Sequence, residues 1–270
     1  MAVIEDTGMD LYLISLIQGI VQGLTEYLPI SSTGHLIVTG HFLGFSGPQA
    51  KMFNVVIQLG AILAVVVMYH KRFLGLLRPD TEDGFSGPRG IYLLVLTTIP
   101  ASVLGFFAND FIKEFLFTPK AVSLAWAVGG LAILLVEAMP RRNKFSSLDQ
   151  ITPYLALGVG LFQCLSLWPG FSRSAATIMG AMFLGARRRL AAEYSFIAAV
   201  PIMIGATSFE LVNGWELLSI SNITSLCIGF LVAFISAWIA VKAFIQLLSR
   251  ATLRPFAYYR LLIAPLILFI

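Results

Sequence analysis

The chain has 270 residues, of which 58% are apolar and only 12% charged, with a formal net charge of +4. Soluble domains carry about 25% charged residues, so this balance excludes an ordinary soluble globular protein and points to a polytopic membrane protein. The small basic excess does not indicate a nucleic-acid partner, because in a membrane protein the placement of Lys and Arg matters more than their sum.

The opening MAVIEDTGMD carries Glu5, Asp6 and Asp10 and no basic residue. A secretory leader starts with positive charge, so the first apolar segment is expected to remain in the protein. Residues 11–44 form two short apolar pieces broken by LPISSTG, and longer apolar runs follow at 53–70, 91–108 and 119–138. The broken pattern returns at 151–185 around WPGFSRS, and runs at 191–213, 223–248 and 256–270 complete the chain. Each long run approaches the ~20 residues that cross a bilayer as helix. The broken regions do not suit simple spans, since freed backbone groups survive at membrane depth only inside protein or along a cavity. The expected fold class is therefore all-α: six transmembrane helices plus two re-entrant helix–loop–helix hairpins. Cys164 and Cys227 lie in apolar runs, fit no metal or disulfide spacing, and are expected to be packing residues.

The two broken regions also match each other at a constant offset of 141 residues: Gly19 falls on Gly160, Gln22 on Gln163, Leu24 on Leu165, Ser31 on Ser172, and Phe42-Leu43-Gly44 on Phe183-Leu184-Gly185. The expectation is one integral membrane domain over 1–270, built from a repeat at about 10–140 and a second at about 151–270. One hairpin and three crossings per unit would insert the second unit upside down, the inverted-repeat arrangement whose broken helices meet near the midplane. With the N-terminus outside, the cytoplasmic segments hold Lys71, Arg72, Arg78, Arg89, Arg141, Arg142, Lys144, Arg187, Arg188, Arg189, Arg250 and Arg254, and the outer ones hold Lys51, Lys113 and Lys120. That asymmetry obeys the positive-inside rule. It puts the hairpin of Glu26 at the outer face and that of Arg173 at the cytoplasmic face.

Gln22 and Glu26 are four apart and share a helix face. A carboxylate at membrane depth costs roughly 2.5–3.5 kcal/mol on insertion scales and is functional unless paired away; the alternative is a structural hydrogen-bond network between helices. After Pro29, the run Ser31-Ser32-Thr33-Gly34-His35 has the pattern of an N-cap opening a half-helix, whose free amides favour an anion. Arg173 stands at the matching break among Ser172, Ser174 and Thr177. It is either an ion-pair partner for Glu26 or a planar fork for phosphate oxygens. Two half-helix starts, an Arg, a Glu and a His together point to phosphoryl chemistry, and the lack of Walker, HExxH and Rossmann patterns removes the common nucleotide and zinc readings.

QGLTEYLPISSTGH (22–35) resembles the first signature of the bacterial undecaprenyl-diphosphate phosphatases, the bacitracin-resistance family, and PGFSRSAAT (169–177) resembles the second. The similarity runs over nearly the whole chain, including IQLGAILAVVV and FQCLSLWPGFSRS. Two departures are Gln22, the less acidic of two permitted choices, which leaves one fewer carboxylate for a metal, and Ala175, where many relatives have Gly. The resemblance implies an inner-membrane enzyme that removes the terminal phosphate of a polyprenyl diphosphate, with its site toward the periplasm. It also implies a divalent cation, Mg2+ or Ca2+, held partly by Glu26.

On this reading Arg173 and the half-helix amides hold the terminal phosphate, with Gln22, Ser31, Thr33, Ser172, Ser174 and Thr177 as further binding groups. Ser32 attacks phosphorus, with Glu26 or His35 as base; His35 can instead protonate the leaving oxygen, or itself attack, or a water can. Two rivals stay open: a transporter or flippase of an anionic polyprenyl lipid, which would use the same repeats, and a membrane scaffold. The expected partners are the lipid diphosphate and membrane lipids; whether the chain forms a homodimer is open. Asp149 is expected to be merely solvated, the alternative being that it assists the site; Tyr27, Trp168 and Trp215 are expected to sit at the membrane interface, the alternative being that they line a groove for the lipid tail.

Overall fold

The structure is a computed structural model that describes residues 10–78, 84–116, 118–140, 143–217 and 223–269. Glu5, Asp6, Arg141 and Arg142, and the side chain of Lys113, lie outside what it describes. The described residues form helices and connecting turns without a strand.

The described residues hold twelve α-helices in chain order: α1 (Leu11–Glu26), α2 (Ser32–Phe42), α3 (Gly47–Met68), α4 (His70–Leu76), α5 (Gly87–Phe107), α6 (Asn109–Phe111), α7 (Pro119–Ala138), α8 (Pro153–Gln163), α9 (Arg173–Phe183), α10 (Arg188–Gly214), α11 (Ile223–Leu248) and α12 (Arg254–Ile263). Their starts follow local chemistry. Asp10, Thr118 and Thr152 accept backbone N–H groups of the first turns of α1, α7 and α8. Proline occupies the first turn of α3, α5, α7, α8 and α12, where its missing N–H is harmless.

Among the described residues five helices are long and apolar enough to cross a membrane: α3, α5, α7, α10 with its short extension to Leu217, and α11. The structure thus shows a multi-pass membrane protein. The sixth expected span, 256–270, is different: α12 has 10 residues and continues into a 3-10 turn, Ala264–Phe269. Pro265 explains the change, because it removes a helical N–H and clashes with the preceding turn.

The broken regions each form a helix pair. α1 ends at Glu26 and α2 begins at Ser32; α8 passes into a 3-10 turn, Cys164–Leu167, before α9 begins at Arg173. The starts and ends of α2 and α9 are separated by 141 residues, as are the starts of α3 and α10. The packing crosses between the halves: α1 lies along α11, and α8 along α5. Glycine permits both contacts. A Cβ on Gly19 would stand 2.7 Å from the Gly229 carbonyl oxygen, and one on Gly160 would stand 2.7 Å from the Thr97 carbonyl oxygen. Small residues that let helix backbones touch are the usual glue in apolar surroundings.

The largest core cluster runs through α3, α9 and α10 and includes Tyr27, Ala61, Phe171, Tyr194 and Phe196. Tyr27 is fully buried and donates to the Ala61 carbonyl at 3.2 Å, so it is neither an interface anchor nor a groove residue. Phe196 packs edge-on against its ring with 5.1 Å between ring centres, and the Arg173 guanidinium lies over it. Trp168 is half-buried and donates to the Ala121 carbonyl, whereas Trp215 is exposed. Neither cysteine packs in the core: Cys164 is half-buried and Cys227 exposed. An apolar run reveals membrane depth, not whether a given face meets protein or lipid.

Several residues of the expected cytoplasmic set gather at one end. Arg72, Arg187, Arg188 and Arg189 line a cavity of about 540 Å3 together with Asn143, Ser146 and Glu193. Arg188 makes a bidentate bond to Glu137 at 2.9 and 2.6 Å, joining α7 to α10. Asp149 is held rather than loosely solvated: it accepts the Phe85 N–H at 2.9 Å and Arg72 at 3.1 Å, because the turn at Gly84 brings that N–H to it. The Phe85 N–H, and then the positive Arg72 beside it, hold its carboxyl below the usual range.

A folded-state pKa lower than the unfolded one gives stability that is present above the unfolded value and lost as pH falls through the folded one. The thermal midpoint of purified wild type should therefore exceed that of Asp149→Ala at neutral pH. The gap should shrink as the solution is taken below about pH 4, near the ordinary carboxyl value; a gap unchanged by acid would show that the charge of Asp149 contributes nothing.

Candidate active site

Both helix breaks use the same turn. Ser31 and Ser172 precede their helices with φ of 69° and 76°, a left-handed conformation uncommon outside glycine. Each serine caps its helix through its hydroxyl, Ser31 accepting the Gly34 N–H at 3.4 Å and Ser172 the Ala175 N–H at 3.2 Å. The strained turns deliver the next residues, Ser32 and Arg173, to helix N-termini that face a common carboxylate.

That carboxylate is Glu26, only 9% exposed. Its Oε1 accepts Arg173 Nη2 at 3.1 Å; its Oε2 accepts Ser32 Oγ at 2.6 Å and Gln22 Nε2 at 3.0 Å. Three groups from two distant chain segments therefore converge on one side chain. Arg173 also donates to the Ser195 carbonyl at 3.2 Å, lies near Met203 Sδ at 3.3 Å, and stacks over Tyr27 with 5.3 Å to the ring centre. Its buried Nε–H has no hydrogen-bond acceptor among the described residues.

His35 stands one helical turn from Ser31. Its Nδ1 is 2.7 Å from the Ser31 carbonyl oxygen, which can only accept, so Nδ1 carries the proton. Nε2 is then the acceptor for the Tyr259 hydroxyl at 2.6 Å. The imidazole lies against Tyr259 with 5.7 Å between ring centres and against Trp126 with 4.9 Å. It makes no hydrogen bond to Glu26 or Ser32.

The other residues read from the sequence divide. Ser174 and Thr177 are fully buried and their hydroxyls are engaged within the protein, Ser174 on the Leu28 carbonyl at 2.7 Å and Thr177 on Ser195 Oγ at 2.6 Å. Ser172 and Ser174 meet at 3.0 Å. The bond to Leu28 joins the two tips, and the other two stay within the second half of the chain. Thr33 is exposed and has no hydrogen bond to the cluster. No group of three His, Cys, Asp or Glu side chains capable of holding a metal occurs among the described residues. The potential metal ligands in this cluster are Glu26 and the carbonyl oxygen of Gln22.

The sequence does not single out Tyr259 and Ser195, places Tyr27 at the interface instead of beneath Arg173, and above all passes over Arg260, which is fully buried and bonded to both tips. The sequence does carry a signal for Arg260: it is a lone cation within the apolar run at 256–270, as Glu26 and Arg173 are lone charges in theirs.

An all-helical membrane protein with a buried Glu–Arg–Ser cluster between two broken helix pairs is the class defined by this fold and site. The chain belongs to the family of bacitracin resistance protein BacA, whose family model it matches over residues 15–266. It is 61% identical over 253 residues to the undecaprenyl-diphosphatase of Maridesulfovibrio salexigens, covering 94% of this chain and 96% of that one. It is likewise 61% identical over 251 residues to the undecaprenyl-diphosphatase of Nitratidesulfovibrio vulgaris, with 93% and 95% covered. The undecaprenyl-diphosphatase of Lawsonia intracellularis is 52% identical over 253 residues, with 93% and 95% covered.

The turn at Ser172 makes its own prediction. Ser172→Gly relieves the left-handed backbone while losing a cap, a change of only a few tenths of a kcal/mol for cap loss to Gly. Ser172→Val keeps the strain, adds β-branching and loses the cap, a cost on the order of 1–3 kcal/mol. Thermal unfolding in detergent should rank wild type and Gly together and Val well below; equal midpoints for Gly and Val would show that the turn stores no strain.

Proposed function

We propose that this protein hydrolyses undecaprenyl diphosphate to the lipid monophosphate and inorganic phosphate, as an integral phosphatase of the bacterial inner membrane. The observation that carries the chemistry is the 2.6 Å hydrogen bond from Ser32 Oγ to a carboxylate that also meets Arg173. A serine hydroxyl is a weak nucleophile until a base takes its proton, and this one already points its proton at Glu26.

The diphosphate displaces Arg173 from Glu26, the guanidinium turning from one anion to another with its planar donors matched to phosphate oxygens. Glu26 thereby gives up its charged partner and keeps the hydrogen bond from Ser32 Oγ, in line to take that proton. Ser32 Oγ attacks the terminal phosphorus, its proton passes to Glu26, and the bond to the bridging oxygen breaks, releasing the lipid monophosphate. Water then attacks the phosphoserine phosphorus and the P–Oγ bond breaks; Glu26 returns its proton to Ser32 Oγ, and inorganic phosphate leaves with both protons of the water. The free N–H groups opening α2 and α9 favour the anion. His35, as the Nδ1–H tautomer with Tyr259 on its other nitrogen, is a positioned proton donor once protonated.

The donor set suits Mg2+ better than Ca2+: one carboxylate, Glu26, and one amide oxygen, Gln22, is the sparse protein contribution with which Mg2+ is bound alongside substrate phosphates, whereas Ca2+ takes 6–8 oxygens. When bound, the ion would neutralise diphosphate charge. The reading needs no second copy of the chain, since all of these groups come from one.

The shared helix boundaries at a 141-residue spacing and the exchange of packing partners support two inverted repeats with re-entrant hairpins. Together with the basic residues gathered at one end, they favour a site opening toward the periplasm. In that arrangement α12 and the turn after it form the sixth, shorter crossing.

Phosphate release from undecaprenyl diphosphate in detergent micelles tests this reading. Wild type should turn over in micelles, where there is no second compartment, while a lipid transporter would be silent there. Glu26→Gln should lower turnover by about 100- to 10,000-fold, the usual effect of losing a general base. Ser32→Ala should abolish both turnover and any acid-stable phosphoserine on the 22–35 peptide; near-normal activity of that variant would refute a serine nucleophile.

A further inference from the structure

Arg260 lies on α12, is 0% exposed, and has no role in the chemistry above. A guanidinium has five N–H donors, and all five are engaged. Nε donates to the Trp126 carbonyl at 3.1 Å, Nη1 to those of Phe171 at 2.7 Å and Pro29 at 3.3 Å, and Nη2 to those of Ala125 at 2.9 Å and Gly170 at 3.1 Å. All of these partners are neutral carbonyls. No carboxylate pairs with Arg260 among the described residues.

Such an arrangement is costly to build, because a buried cation without an anionic partner is among the least favourable groups in a protein interior. Its five acceptors explain what it does. Pro29 belongs to the turn before Ser31 and Ser32; Gly170 and Phe171 belong to the turn before Ser172 and Arg173. Ala125 and Trp126 are on α7, and the Trp126 ring packs on His35. One rigid fork therefore spans both tips and the helix that backs the imidazole.

The peptide geometry adds a second consequence. A peptide unit is planar and trans, so the Phe171 carbonyl, pinned to Arg260, aims the Ser172 N–H the opposite way. That N–H has no acceptor among the described residues. The neighbouring residue, Tyr259, places its hydroxyl on His35 Nε2, so one turn of α12 reaches both the tips and the imidazole.

We infer that Arg260 is a positioning residue of the active site. Its five carbonyl bonds hold the two tip turns in register so that Ser32 and Arg173 meet on Glu26, and its unpaired charge makes the resting site favourable to an anion. With the neutral His35 tautomer, Glu26, Arg173 and Arg260 sum to one positive charge before substrate arrives. The inference rests on the phosphatase reading and adds a residue that touches neither substrate nor reacting atoms.

Three variants separate geometry from charge. Arg260→Lys keeps the charge but offers three donors that cannot span five carbonyls. Gly129→Ala leaves Arg260 intact while its new Cβ runs into the guanidinium, pushing it from the tips. Arg260→Met removes both fork and charge. Steady-state phosphate release from undecaprenyl diphosphate is measured on monodisperse detergent-purified protein, with thermal midpoints alongside.

For Arg260→Lys and Gly129→Ala we expect kcat lower by about 100-fold, the scale of an ångström-level misplacement, with KM nearly unchanged. Arg260→Met should show the same loss in kcat and a KM raised by about tenfold as the attraction for the anion falls. A lower thermal midpoint with wild-type kcat and KM in the folded fraction would make Arg260 purely structural and overturn the inference. Should Arg260→Met fail to fold, the other two variants decide in the same way. Wild type that releases no phosphate would refute the phosphatase reading and this inference with it; active wild type with equally active variants would refute the role of Arg260 alone.

Discussion

The contact between Glu26 and Arg173, 3.1 Å across 147 residues of sequence, is the constraint on which the rest depends. Neither charge is stable at membrane depth by itself. Each is tolerated because the other arrives from the opposite half of the chain. That requires both helix pairs to break at the same place relative to their neighbours, and the left-handed turns at Ser31 and Ser172 make the breaks short enough for the tips to meet.

The tips are held from outside as well as by the ion pair. Ser174 reaches across to the Leu28 carbonyl, and Arg260 bonds Pro29 on one side and Gly170 and Phe171 on the other. Backbone carbonyls freed where helices break would be severely penalised in hydrocarbon. Here they become acceptors for side chains that join the halves, so the same feature that would destabilise a lone broken helix stabilises the assembled pair. The close helix contacts at Gly19 and Gly160 extend this: each broken pair lies against a long helix of the other half.

Much of this was legible in the sequence because polar groups stand out in a chain with 12% charged residues. Glu26, Arg173 and the serine runs were visible for that reason, and the five long apolar helices follow directly from length and hydropathy. What stayed hidden was direction. Ser174 and Thr177 sit beside Arg173 in sequence, but helical phase turns their hydroxyls into the protein, onto Leu28 and Ser195. Asp149 lies in a polar loop, and only the fold brings the Phe85 N–H to it. Tyr27 precedes the tip as an aromatic should at an interface, yet it is buried beneath Arg173. Arg260 was missed for a different reason: its partners are carbonyls, which every sequence contains and none advertises.

The sharing of Glu26 also determines how substitutions there must be read. Breaking a buried ion pair by removing one partner costs about 3–5 kcal/mol, because the remaining charge is left uncompensated. A change at Glu26 or Arg173 therefore disturbs the junction of the two halves as well as any chemistry, and lost turnover alone does not separate the two. Ser32 differs. It bonds one oxygen of the carboxylate, is only partly buried, and leaves the Arg173 contact to the other oxygen when it is removed. Of the three groups that converge, Gln22 and Ser32 are the neutral ones whose deletion leaves the charges paired; of those two, the hydroxyl is the proposed nucleophile, so its loss reports on the reaction rather than on the frame that holds it.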